Sequence, residues 1–132
     1  MELKVPTARN REIIDLTERV ASVTDGLADG IVLVSAPHTT VALFVSELDD
    51  ELRDDFLKIA DTLFQPARPF RHIRKNNPNT EAHALSAIFG TSLVLAVAGG
   101  KLQLGTYQRV IFFELDGPKE RTVSVTHVGG TK

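Results

Sequence analysis

Residues 31–45 read Ile-Val-Leu-Val-Ser-Ala-Pro-His-Thr-Thr-Val-Ala-Leu-Phe-Val, and this stretch decides the expected fold. Two fully apolar runs, 31–34 and 41–45, flank a short polar segment. A run that is apolar at every position is typical of a strand covered on both faces. The stretch therefore predicts two buried strands, with His38, Thr39 and Thr40 emerging between them at a fixed position.

Shorter apolar runs on either side extend this pattern. Further strands are predicted at residues 3–7, 12–16, 93–97, 107–115 and 121–128. Three segments instead show apolar residues at steps of three and four, which is typical of amphipathic helices. The first begins at Thr17 and ends at Gly26 or Gly30, the second runs from the acidic segment 46–51 to Gln65, and the third ends at Phe89.

The predicted buried face of the second helix contains Leu48, Leu52, Phe56, Ile59 and Leu63. Taken together, the elements predict an α+β fold: a strand-rich, mostly antiparallel sheet or sandwich with two to three helices. Several strands are apolar on both faces, which a single half-exposed sheet cannot bury. Either a second sheet or a partner subunit has to cover them.

Length and composition restrict the class of protein. The 132 residues fit a single domain spanning 1–132, with 42% apolar and 24% charged residues. The formal net charge of −2 gives no electrostatic footprint for nucleic acid or for an anionic membrane. The absence of cysteine excludes disulfides and thiolate chemistry. No signal peptide or membrane-spanning run is present, so a cytoplasmic protein is expected.

Residues 71–83 form a markedly polar segment, Arg-His-Ile-Arg-Lys-Asn-Asn-Pro-Asn-Thr-Glu-Ala-His. So few apolar residues predict a loop whose polar groups are satisfied by solvent, a ligand or another subunit. Asn79 or Thr80 is expected to cap the following helix. His83 then lies in the first turn, where outward-pointing backbone amides favour an anion.

Three histidines, His38, His72 and His83, fall in or beside polar segments. Three imidazoles that leave one position open form a recurring catalytic metal site. Their spacing is not that of a recognisable metal motif, and loop histidines are often only solvated. Glu47 suits a general base, but it also suits an acid placed before a helix for its dipole. Thr39 and Thr40 can donate to a phosphate or simply favour β structure.

Several motifs occur in one order along nearly the whole chain: Pro37-His38-Thr39-Thr40, Glu47, His72, Asn79 with Ala82-His83, Gly-Lys-Leu-Gln-Leu-Gly-Thr-Tyr-Gln at 100–108, and Gly-Pro-Lys-Glu-Arg at 117–121. In this combination the chain resembles the YjbQ-like family, also called the secondary thiamine-phosphate synthase family. Two departures are Tyr107, where the family often has Trp, and Lys119, where it often has the bidentate Arg.

The resemblance implies a strand-rich homotrimer with a polar site near a subunit interface. By position it assigns catalysis to His38, His72, His83 and Glu47, and substrate binding to Thr39, Thr40, Asn79, Gln108 and Arg121. The three histidines are also the expected ligands of a divalent metal, zinc or magnesium.

The activity that the resemblance implies joins a pyrimidine pyrophosphate to a thiazole phosphate, giving thiamine phosphate and pyrophosphate. Leaving pyrophosphate has to be stabilised by cations or a metal. The expected partner is thus a small phosphorylated substrate, with no nucleic acid or membrane partner. Two alternatives stay open: a non-catalytic trimer that binds a metal or an anion, and a purely structural oligomer.

Overall fold

The computed structural model describes residues 1–130, which contain eight strands and three α-helices. The strands are β1 Glu2–Pro6, β2 Glu12–Asp15, β3 Gly30–Ser35, β4 Val41–Ser46, β5 Ser92–Ala98, β6 Lys101–Leu102, β7 Arg109–Glu114 and β8 Glu120–Gly129. The helices are α1 Thr17–Thr24, α2 Asp50–Thr62 and α3 Thr80–Phe89, with a 3₁₀ turn at Gln65–Ala67. None of the helices within residues 1–130 is long and apolar enough to cross a membrane.

The strands form two antiparallel sheets that pack face to face. The large sheet has the order β1-β8-β3-β5-β6, and the small sheet has the order β2-β7-β4. Side chains from both inner faces, among them Val32, Val123 and Phe112, are fully buried in one shared core. The predicted α+β sandwich, mostly antiparallel with three helices, is confirmed.

A second apolar layer covers the other face of the small sheet. Ile111 and Phe113 of β7 and Ala42 of β4 pack there against Ala60 of α2 and Leu85 of α3. Strands β4 and β7 are therefore buried on both faces, which explains why residues 41–45 are apolar at every position.

The large sheet is different, because its outer face has no covering layer within residues 1–130. Ile31 and Leu33 of β3 are 40% and 37% exposed. Their cross-strand neighbours on that face, Val128 and Val94, are 55% and 62% exposed. The prediction that β3 is covered on both sides is therefore wrong for the single chain. We refer to these four residues as the outer face.

The buried stripe of α2 also differs from the prediction. Ile59 and Leu63 are exposed, whereas Ala60 is almost fully buried and Phe56 and Leu57 pack with it. One residue of a helix corresponds to a rotation of about 100°. The C-terminal half of α2 therefore buries a face that is rotated by about one residue from the predicted face. The reason is that α2 approaches the small sheet closely through the small side chain of Ala60, which a pattern based on large apolar residues does not register.

Two connections at one end of the sandwich bring the polar motifs together. The segment between β3 and β4 contacts the segment between β7 and β8, since the Leu115 amide donates to the Thr40 carbonyl at 3.1 Å. Gly117 in the second segment packs so closely against residues 7–10 that a Cβ atom would lie 2.3 Å from the Arg9 carbonyl oxygen. A side chain at position 117 cannot be accommodated without moving the backbone.

Candidate functional site

His38 lies between β3 and β4 and is held by the neighbouring strand β8. Its Nε2 accepts a hydrogen bond from the Thr122 amide at 3.1 Å. Burial and the nearby positive charge of Arg121 lower the pKa of His38 below its usual value. A ring nitrogen that accepts an amide hydrogen carries no proton, so the neutral ring has its proton on Nδ1. His38 is therefore a hydrogen-bond donor through Nδ1.

His83 has the opposite arrangement. It lies in the first turn of α3, as predicted, and its Nδ1 is 3.1 Å from the Thr39 carbonyl oxygen. A carbonyl oxygen can only accept, so Nδ1 bears the proton and donates it. In the neutral ring Nε2 is left with a lone pair, which makes His83 a hydrogen-bond acceptor, a base or a metal ligand.

Both histidines line one cleft of about 330 Å³, together with Thr39 and the cationic residues Lys119 and Arg121. We call it the histidine cleft. An adjoining cleft on the α3 side is also lined by His38, Thr39 and His83. Residues from the β3–β4 connection, from α3 and from β8 thus converge, although up to 83 positions separate them in the sequence.

Beneath the histidine cleft, Arg121 forms a buried ion pair with Glu114. Its Nε and Nη2 donate to the two carboxylate oxygens at 2.8 and 2.6 Å, and Nη2 also donates to Thr40 Oγ1 at 2.9 Å. Arg121 is 5% exposed and Glu114 is fully buried. Arg121 Nη1 makes no hydrogen bond within residues 1–130 and is accessible to solvent. Only this nitrogen remains for a ligand.

The electrostatics of Glu114 follow from these contacts. Burial alone raises the pKa of a carboxyl group. Hydrogen bonds from Arg121, the Asp116 amide and Thr7 outweigh it, so the pKa of Glu114 is below its usual value. The pair is therefore ionised at neutral pH, and Arg121 is held rigidly at the base of the cleft.

Asp116 anchors the polar segment 71–79 beside α3. Its carboxylate accepts hydrogen bonds from Asn77 Nδ2 at 3.1 Å and Asn79 Nδ2 at 2.9 Å, and Lys119 Nζ lies at 3.3 Å. Burial would raise the pKa of Asp116, but the bonds from Asn79, Asn77 and Lys119 lower it overall. Asn79 precedes α3 as expected, yet its side chain is used on Asp116 and makes no capping hydrogen bond.

His72 is exposed and touches His83, with ring centroids 5.0 Å apart in an edge-to-face arrangement. His72 thus contacts His83 directly, whereas His83 and His38 line the same cleft. Within residues 1–130, no three His, Asp or Glu side chains are grouped closely enough to hold a metal ion. His38 would also have to release the Thr122 amide before Nε2 could bind a metal. The metal site on these three histidines stays a prediction.

The remaining predicted residues divide into two groups. Thr39 lines the histidine cleft, and Thr40 lines it while accepting from Arg121. Glu47 and Gln108 are exposed and line neither cleft that contains histidines. Gln108 instead accepts a hydrogen bond from the Gly105 amide at 2.8 Å. Their assigned roles in catalysis and substrate binding stay predictions.

Glu114 and Asp116 were missed by reasoning from the sequence alone. Asp116 directly follows the predicted strand 107–115, and Glu114 lies near its end. A carboxylate within a buried strand requires a partner charge, because an unpaired buried charge is very costly. That requirement, together with Arg121 on the next predicted strand, was the available signal.

A family model described as UPF0047 protein YjbQ-like matches residues 1–130. The chain belongs to this family. A UPF0047 protein of Archaeoglobus fulgidus is 42% identical over 125 residues, covering 95% of this chain and 98% of the relative. The UPF0047 protein YugU of Bacillus subtilis is 33% identical over 132 residues, covering 96% and 97%.

Solved structures of UPF0047 relatives have the same fold. A protein of unknown function from Sulfolobus solfataricus superposes with a TM-score of 0.87 at 33% identity, covering 95% of this chain and 92% of that one. An uncharacterized family member from Clostridium acetobutylicum gives a TM-score of 0.86 at 32% identity, covering 96% and 98%. These relatives establish the family and the fold, and their names state no activity.

Proposed function

We propose that this UPF0047 protein is a small-molecule enzyme that binds a phosphorylated substrate in the histidine cleft. The proposed detectable activity is that of a thiamine-phosphate synthase, which joins a pyrimidine pyrophosphate to a thiazole phosphate. One observation carries the proposal: His38 and His83 present opposite hydrogen-bonding states, a donor and an acceptor, to a single cleft. Solvated loop histidines have no reason to be fixed in this way.

The donors in the cleft support the binding of an anion. His38 Nδ1–H, Lys119 Nζ and Arg121 Nη1 all belong to residues that line it. Charged donors form shorter and stronger hydrogen bonds to phosphate oxygens than neutral donors do. Because Glu114 already holds Arg121, this guanidinium needs little reorganisation when an anion binds.

The reaction assigns separate tasks to these groups. The thiazole nitrogen forms a bond to the methylene carbon of the pyrimidine, and the carbon–oxygen bond to pyrophosphate breaks with the electron pair leaving on oxygen. Lys119, Arg121 and His38 stabilise the charge that develops on that oxygen. His83 Nε2 is the nitrogen of its ring that is not committed to the Thr39 carbonyl, so we assign a reversible proton transfer to it. It accepts a proton from the exocyclic amine of the pyrimidine as the carbon–oxygen bond breaks, and it returns that proton to the amine once the new carbon–nitrogen bond has formed.

A non-catalytic metal- or anion-binding protein is the second candidate. It is favoured by the contact between His72 and His83, which brings a second imidazole against the His83 ring. These two histidines are the residues that would hold zinc or another divalent ion there. Such an ion would supply positive charge for binding an anion.

Thermal unfolding with added ligands separates these candidates. Pyrophosphate at a hundred times its dissociation constant is expected to stabilise the wild-type protein by about 2.7 kcal/mol. His38→Ala should lose most of this stabilisation, because it removes a donor from the cleft, whereas His127→Ala should keep it. His127 lies outside the cleft, with Nε2 2.9 Å from the Ala28 carbonyl oxygen. Zinc stabilisation without pyrophosphate release in a coupled assay would favour the second candidate instead.

We also propose that the protein assembles as a homotrimer through the outer face of the large sheet. The four apolar residues of this face are 37–62% exposed in the single chain, and contiguous exposed apolar surface of this kind is typical of an interface. The outer face is on the opposite side of that sheet from the sandwich core.

Leu33→Lys tests the assembly. This substitution places a charge at the centre of the outer face, so we expect the trimer to dissociate into folded monomers in light scattering after size exclusion. Ile59→Lys is the matched control, because Ile59 is an exposed aliphatic residue on α2, at 47% against 37% for Leu33. A trimeric Leu33→Lys variant, or a monomeric wild-type protein, would contradict the proposed interface.

A further inference from the structure

A second cleft of about 370 Å³ adjoins the histidine cleft, and the proposed chemistry does not use it. Its lining includes the polar residues Asn10, Arg11, Asp61, Arg68, Asn77 and Glu81. We call it the asparagine cleft. Asn79 and Asp116 line both clefts, so the two are separated only by this shared wall. Both are open to solvent.

The charges of the asparagine cleft are already paired. Arg11 Nη1 lies 2.6 Å from Asp61 Oδ1. Arg68 holds Glu81 with two hydrogen bonds of 2.7 Å. The lining therefore contains two cations and three carboxylates, counting Asp116, and the two carboxylates opposite the arginines are engaged. Counted in the same way, with Asp116 in both, the lining of the histidine cleft contains two cations and one carboxylate. A phosphate group is therefore bound more favourably in the histidine cleft than in the asparagine cleft.

The side-chain amides in this region leave their hydrogen-bond acceptors unused. Asn10 Nδ2 donates to the Gly117 carbonyl at 3.3 Å, and the Nδ2 atoms of Asn77 and Asn79 donate to Asp116. An ionised carboxylate only accepts, so both of these amide groups must face it through nitrogen. The three Oδ1 atoms consequently make no hydrogen bond within residues 1–130. Asn79 Oδ1 is also buried, which is unfavourable for an unpaired acceptor.

We infer that the asparagine cleft binds a neutral ring bearing amine or hydroxyl groups, on the same substrate whose phosphate occupies the histidine cleft. Each cleft alone is near the lower end of the roughly 300–1,000 Å³ typical of ligand sites, and one ligand lying across Asn79 and Asp116 would fill both. The placement of the phosphate in the histidine cleft rests on the proposed function. The placement of the neutral ring in the asparagine cleft rests on the unpaired oxygens of the asparagine side chains.

Calorimetric titration with three probes tests the inference: inorganic phosphate, (4-aminopyrimidin-5-yl)methyl phosphate and benzyl phosphate, which has no N–H donor on its ring. The wild-type protein is expected to bind the aminopyrimidine ester about tenfold more tightly than benzyl phosphate, as one or two additional hydrogen bonds would give. Asn10→Leu should abolish most of this preference without changing the affinity for phosphate. Asn10→Gln keeps a neutral amide, with a donor for the Gly117 carbonyl and an acceptor for the ring, and should retain most of the preference.

Different results overturn the two proposals. Equal affinities of the wild-type protein for the two esters would refute the neutral-ring site, and so would an unchanged preference in Asn10→Leu. Failure of inorganic phosphate and of both esters to bind would refute the histidine cleft and the spanning ligand together. A third result would refute only the proposed function. In that case the wild-type protein does not bind inorganic phosphate, yet His38→Ala still binds the aminopyrimidine ester more tightly than benzyl phosphate. Should Asn10→Leu fail to fold, the wild-type ester comparison still decides.

Discussion

Glu114→Gln is expected to lower the free energy of unfolding by about 3–5 kcal/mol, the usual cost of breaking a buried ion pair. Glutamine keeps the size of the side chain but removes the negative charge, so Arg121 is left charged and almost fully buried. The NH₂ group of the glutamine amide must also replace one of the two carboxylate oxygens, so one guanidinium N–H of Arg121 faces another donor. Urea unfolding at pH 7, followed by circular dichroism, measures the loss.

Two controls identify the pair as the cause. Lys101→Met breaks the contact with Asp25, where both side chains are more than half exposed, and should cost no more than about 1 kcal/mol. The double variant Glu114→Leu with Arg121→Met replaces both charges by apolar groups and should recover most of the lost stability. A loss of under 1 kcal/mol in Glu114→Gln would show that the pair is not ionised in the folded protein.

The pH dependence has a defined sign. Because the pKa of Glu114 is lowered on folding, its contribution is complete above the unfolded-state pKa of a glutamate, about 4.3. It is lost as the pH falls from there through the lower folded-state value. The difference in stability between the wild-type protein and Glu114→Gln should therefore be constant near neutrality and shrink below about pH 4.

His83→Ala is expected to reduce turnover by about 10²–10⁴-fold, the contribution typical of a positioned acid or base. The variant removes Nε2, to which we assign proton transfer, while Lys119 and Arg121 remain in the cleft. Pyrophosphate should consequently still stabilise the variant in thermal unfolding. The rate is measured as pyrophosphate release from the pyrimidine pyrophosphate and the thiazole phosphate.

His127→Ala is the matched control for this experiment, since it removes an imidazole from β8 outside the cleft and should leave the rate unchanged. Circular dichroism and light scattering establish that the fold and assembly of both variants persist. An unchanged rate in His83→Ala would remove the assignment of proton transfer. Loss of pyrophosphate binding along with turnover would instead make His83 a binding residue.

Much of the fold could be predicted because the strands and turns have local signals. The apolar run 41–45 correctly indicated a strand buried on both faces, and the strand predicted at 121–128 corresponds to β8. The same reasoning failed for residues 31–34. An apolar pattern shows that a face prefers to be covered, but it contains no information on whether the cover comes from the same chain.

The candidate site could be predicted only in part, for a related reason. The histidine motifs were visible in the sequence, and the structure brings His38 and His83 into one cleft. The hydrogen-bonding states of the two histidines depend on the Thr122 amide and the Thr39 carbonyl. Because every residue has a backbone amide or carbonyl group, the residue types do not indicate which of these groups contacts a histidine. Local pattern also does not give the direction of a loop, so the exposure of Glu47 and Gln108 could not be anticipated.

The tight packing around Gly117 has a consequence for mutational tolerance. Besides approaching Arg9, a Cβ atom at this position would lie 2.8 Å from Glu114 Cγ. Any side chain introduced there would displace Glu114, whose carboxylate orients Arg121. It would do so without contacting a ligand in the cleft. In a systematic survey of substitutions, position 117 would therefore be as restricted as a ligand-contacting position, although selection there would act on the shape of a turn.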